Sequence, residues 1–76
     1  TMNFIIDDAL TAIERERPEL AGWCEDKRHE LADQGKLEAL RWVVFSLDAR
    51  NRAIAAKALG IALDDLPALG RVLQVV

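Results

Sequence analysis

Leu37-Glu38-Ala39-Leu40-Arg41-Trp42-Val43-Val44-Phe45-Ser46-Leu47 is the stretch whose conformation decides the fold. Between residues 39 and 47 Arg41 is the only charge, so a helix here is apolar nearly all round and belongs in the middle of a bundle. The β-branched pair Val43-Val44 would also suit a short strand, but no other segment supplies an alternating partner. The expected register turns Leu40, Val44 and Leu47 inward, with Trp42 or Phe45 filling the other side.

Upstream, Ile6, Leu10 and Ile13 recur at helical spacing, with Asn3 as N-cap and Asp7 and Asp8 in the first turn, where the helix dipole favours acids. This predicts a helix over residues 4–16. Pro18 suits the first turn of a second helix over residues 18–34. Its stripe runs through Leu20, Trp23 or Cys24, Lys27 and Leu31, and Gly35 is its stop. Downstream, Ser46 or Asp48 can cap a fourth helix ending at Gly60, and Asp64 or Asp65 a fifth ending near Leu73. No linker or internal repeat divides the chain, so residues 1–76 are expected to form a single helical domain.

A chain of 76 residues buries only about 60% of the surface its unfolded form exposes, which leaves a thin stability margin and makes self-association a natural supplement. Its apolar fraction of 51% and lack of low-complexity runs predict order nearly end to end. Cys24 stands alone, which excludes an intrachain disulfide or a cysteine-based zinc site and points to the cytoplasm. The N-terminus has neither a basic region nor a long apolar stretch, so no membrane role is expected. Met2 reads as the natural start, which would make the chain a complete small gene product. The Ala, Leu, Arg, Asp and Val bias fits a GC-rich bacterial or phage genome. Net charge is −3, with nine acids and four bases in residues 1–35 against four acids and six bases in residues 36–76. The acidic first half would repel nucleic acid or meet a basic protein surface.

Candidate chemistry is sparse. Cys24 and the only histidine, His29, lie five positions apart, about 140° around one helix, and cannot form a dyad within it. Glu25, His29 and Asp33 share a face, but a metal site there needs ligands from elsewhere, and the same spacing is common on solvated helices. Asp7-Asp8 and Asp64-Asp65 are adjacent pairs that point apart, better explained as helix-end charge than as an acid/base couple. No phosphate-binding glycine loop is present. No catalytic, cofactor-binding or metal-binding residue is assigned, and a non-enzymatic protein without cofactors is expected.

One motif has shape. Asn51, Ala55-Ala56, Leu59-Gly60-Ile61 and Leu66 fit the spacing N-x-x-x-A-A-x-x-L-G-I-x-x-x-x-L. On these residues the chain from Leu37 onward resembles the Fis-type helix-turn-helix family, a pattern also found at the C-terminus of bacterial enhancer-binding activators. The resemblance implies two helices packed through small Ala55 and Ala56, with Gly60 at positive φ in the turn and Ile61 and Leu66 locking the second helix. The fold expected is therefore an all-α small bundle of five short helices with a helix-turn-helix-like C-terminal half. The segment in the reading position, Ala62-Leu63-Asp64-Asp65-Leu66-Pro67-Ala68, carries two acids and no strong base reader. Pro67 either confines that helix to begin near residue 64 or bends it. Arg50, Arg52, Lys57 and Arg71 are dispersed, so nucleic acid is not the expected partner.

The termini hold more apolar residues than a small core readily hides: Phe4, Ile5 and Ile6 at one end, Leu69, Val72, Leu73, Val75 and Val76 at the other. Either the two ends pack on each other or part of this surface binds a partner. The second alternative predicts a protein-binding face of Phe4, Ile5, Leu69, Val72, Leu73 and Arg71, rimmed by Glu14, Glu16, Glu19 and Arg71, which would also support a homodimer. The function expected is that of a small helical regulator or inhibitor acting by protein–protein binding, in keeping with a phage-encoded protein. The alternative is a dimeric helix-turn-helix DNA-binding protein.

Overall fold

The computed structural model describes residues 4–75, all-α with no strand among them. Helix α1, Phe4–Glu16, has the bounds expected of it, and the Asn3 cap lies outside the described residues. Its stripe Ile6, Ala9, Leu10 and Ile13 is at most 2% exposed. The chain then departs from expectation at Pro18, which opens a separate 3₁₀ turn, Pro18–Leu20, before α2, Ala21–Leu31. The backbone N–H of Arg17 still donates to the Ile13 carbonyl at 2.7 Å, and that of Leu20 donates to Arg17 at 2.9 Å. The turn thus continues the bonding of α1 while redirecting the chain. Gly35 is not a left-handed stop for α2. It sits at φ −73°, ψ 170°, as the extended N-cap of α3, Lys36–Phe45.

Helix α4, Ala49–Ala58, is capped by Asp48, whose Oδ1 accepts from the Asn51 backbone N–H at 2.8 Å. It ends as expected at Gly60, at φ 74°. The Ile61 N–H donates to the Ala56 carbonyl at 2.8 Å and the Gly60 N–H to Lys57 at 3.2 Å, the paired bonds of a Schellman cap. A second 3₁₀ turn, Leu63–Asp65, holds both acids that were expected to cap the last helix. Helix α5, Leu66–Val75, therefore starts at Leu66. Pro67 is its second residue, where a backbone N–H would have no intrahelical acceptor, so the proline fits without breaking the helix.

Helix α1 packs against α2, α3 and α4, while α3 lies against α1, α4 and α5. The central position expected of α3 is thus shared, and the most buried stripe belongs to α1. The register of α3 also differs from expectation. Ala39 and Val43 are fully buried and Val44 and Leu47 nearly so, but Leu40 is only half-buried and Phe45 is 48% exposed. Small Ala39, rather than Leu40, faces α1, and the i, i+4 step from it selects Val43. Trp42 is half-buried and stacks on Trp23 of α2 with ring centroids 6.2 Å apart.

Helices of ten to thirteen residues are marginal alone, so the α1 stripe carries their stability. Chemical denaturation should show Leu10→Ala losing about 2–5 kcal/mol and Leu40→Ala distinctly less. Similar losses for the two would contradict this placement of the core. No atom crowds a Cβ built on Gly60, so substitution there meets backbone strain alone. Gly60→Ala is expected to cost about 1–2 kcal/mol and Gly60→Asn less, since asparagine visits the left-handed region more readily.

Candidate functional site

An open apolar groove of about 520 Å³ lies where four parts of the fold meet. Ile5 comes from the first turn of α1, Lys36 and Leu40 from α3, Leu59 to Ala62 from the turn after α4, and Asp65 and Leu69 from the start of α5. The geometry follows from the local structure. The left-handed residue Gly60 swings the chain across the end of α4 and sets Ile61 beside Leu59. Leu40 is left half-exposed because Ala39 takes the inward position. The volume lies in the range of small-molecule and peptide-anchor sites. Its apolar walls carry one cation, Lys36, and one anion, Asp65, and neither side chain has an ion-pair partner within the described chain.

The six residues expected to bind a partner are divided by the structure. Ile5 and Leu69 meet in the groove. Phe4, at 70% exposed, is the chain neighbour of Ile5, and Val72, at 59%, lies one helical turn beyond Leu69 on the same flank of α5. Leu73 is corrected to a core residue, 3% exposed. Arg71 is exposed on the other flank, in a second hollow of about 410 Å³ with Phe45, Arg52, Leu66 and Pro67. The expected acidic rim is also displaced. Glu14 bonds to Arg28 at 2.8 Å, Glu19 faces Arg17 at 3.8 Å, and Glu16 ends α1, about 16 Å of helix away from Ile5. Lys36 and Asp65 take its place. Leu40, Leu59 and Ile61 are groove residues that sequence reasoning assigned to the core or to the helical corner. No match is found among protein-family models, curated proteins or solved structures.

Other candidate chemistry is accounted for by packing. Cys24 is fully buried in the core, and its thiol pKa is pushed up, first by burial and then by the nearby Glu14 carboxylate, so the nucleophilic thiolate is disfavoured. His29 is exposed and pairs with Glu25 at 3.1 Å, while Asp33 lies beyond the end of α2. Among the described residues, no three of His, Cys, Asp and Glu converge as a metal site would require. Asn51, the first residue of the helix-turn-helix spacing, is 5% exposed, and its Oδ1 accepts from Arg17 Nη1 at 2.9 Å. It ties the end of α1 to α4. Of the four dispersed bases, Arg52 donates Nη2 to the Leu47 carbonyl at 2.8 Å, whereas Arg50, Lys57 and Arg71 are exposed.

Arg17 Nε is buried without a hydrogen bond, so removing the Asn51 acceptor would leave the guanidinium still less satisfied. Asn51→Ala is expected to destabilise by about 1–3 kcal/mol, and a double-mutant cycle with Arg17→Met should show clear coupling. Additive losses would mean the bond contributes nothing.

Proposed function

We propose that the protein works by binding a protein partner, as a small non-enzymatic regulator or inhibitor, and that the groove between α1, α3 and α5 is its contact site. The observation that carries this reading is the groove itself: a concavity walled by Ile5, Leu40, Leu59, Ile61 and Leu69 and open to solvent. Contiguous accessible apolar surface of this kind is the usual mark of an interaction site. A hydrophobic anchor from a partner would displace water from the walls, and the two rim charges would set its orientation. Arginine and tryptophan are common contact residues elsewhere, yet here Trp23 and Trp42 are half-buried and stacked on each other, so the aliphatic groove offers more accessible apolar surface than the tryptophan pair.

DNA binding is the second reading, favoured by the Gly60 turn and the exposed bases Arg50, Lys57 and Arg71. Against it, Asp64 and Asp65 are exposed just ahead of α5, and Asn51 is turned inward to Arg17. The two readings separate by salt and by substitution. Affinity capture from cells should yield a protein bound by wild type and by Arg50→Glu but lost with Leu69→Asp, provided that circular dichroism shows the variants folded. Submicromolar duplex-DNA binding that falls steeply between low and moderate salt, and is lost with Arg50→Glu, would reverse the preference.

A further inference from the structure

We infer that the groove has a second copy of this chain as its occupant in the absence of another partner, in an isologous dimer; this rests on the groove being the contact site. The argument is charge complementarity. The mouth carries one cation and one anion, Lys36 and Asp65, each without an ion-pair partner among the described residues. A rim with one unpaired charge of each sign is complementary to itself: a twofold axis through the mouth sets Lys36 of each copy against Asp65 of the other. A rim of one sign would instead repel its own copy. The apolar part obeys the same symmetry. Phe4, the chain neighbour of the groove residue Ile5, is 70% exposed, so each copy carries an exposed aromatic ring at this end of α1. Each ring has roughly 150–250 Å² to bury. Val72, at 59% exposed, extends the same flank of α5. Reciprocal contact by Phe4, Val72 and the groove walls covers the apolar surface that one chain leaves open.

Sedimentation equilibrium over roughly a hundredfold concentration range should show reversible dimers of the wild type. Lys36→Asp and Asp65→Lys should each weaken self-association at least about tenfold, because like charges then face each other. Both sit at the exposed groove mouth, and circular dichroism should show them folded. The decisive step is mixing. A Lys36→Asp chain and an Asp65→Lys chain restore both ion pairs in a mixed dimer, so the mixture should associate more tightly than either variant alone. If either reversal unfolds the chain, Lys36→Gln and Asp65→Asn supply the comparison, each weakening the dimer by a smaller factor. A wild type monomeric throughout would overturn the dimer and leave the groove to a heterologous partner, which the Leu69→Asp capture tests separately. Dimers indifferent to the rim substitutions, or folded single reversals that fail to associate when mixed, would place the contact on another face and equally overturn it.

Discussion

Burial of one stripe of α1 is the constraint on which the rest of the structure depends. Ile6, Ala9, Leu10 and Ile13 meet Cys24 of α2, Ala39 and Val43 of α3 and Ile54 and Ala55 of α4 in a single core. Three of these residues are fully buried alanines, Ala9, Ala39 and Ala55, so the helix backbones can approach closely while the larger aliphatic side chains fill the gaps between them. Neither α2 nor α4 has a pronounced apolar stripe of its own, and each holds only a few buried residues. Their helicity therefore depends on the contact with α1, because short helices gain most of their stability from packing.

Polar ties fix the positions that the core leaves open to sliding. Arg28 of α2 reaches Glu14 at 2.8 Å, Glu25 at 3.3 Å and Asp7 at 3.4 Å, thereby spanning two turns of α1 and one of its own helix. Its pKa is raised above the ordinary arginine value, chiefly by the hydrogen bond to Glu14, so it stays charged at every relevant pH. The site is partly exposed and each pair contributes little alone, yet together they specify how α2 lies along α1. They also occupy three acids of the acidic first half, so sequence charge overstates the acidic surface there. At the other end of α1, the Arg17–Asn51 bond performs the same service between α1 and α4.

The amphipathic period of α1, the cap of α4 as Ser46 or Asp48 and the left-handed Gly60 were legible because each depends on neighbours within one or two turns. The α3 register was not. Leu40 is the better apolar residue by transfer energy, but close packing of two helices selects Ala39, a choice made by the facing helix. Pro18 and Pro67 illustrate the same division. Pro18 was expected in the first turn of a helix and Pro67 inside one that it would confine to begin near residue 64 or bend. Yet Pro18 opens a 3₁₀ turn and Pro67 is the second residue of α5, distinctions that local rules do not make. Ile5 and Leu69 line one groove, a meeting of the two ends for which the surplus apolar residues at both termini were the sequence signal. Leu73 was misassigned because the side of α5 that α3 covers is fixed by tertiary contact. Leu59 and Ile61 were hidden by their own motif: a helical corner explains their chemistry without implying that one side of it remains open.

That opening follows from where α5 sits. The core closes around α1, which has helical neighbours on three sides, whereas the principal helical contact of α5 is α3. One contact of this kind buries a narrow stripe, here Gly70 and Leu73, and leaves Leu66 and Leu69 half-covered, with hollows on both flanks. Yet α5 is strongly amphipathic, with more apolar residues than that stripe uses. On one flank Arg52 and Arg71 bring charge to the margin of the hollow. On the other, Ile5, Leu40, Leu59 and Ile61 extend the apolar surface from α5 across to α1. The same topology that stabilises the chain through α1 thus leaves an accessible apolar concavity beside α5, because a helix held by one principal neighbour covers only part of its apolar surface.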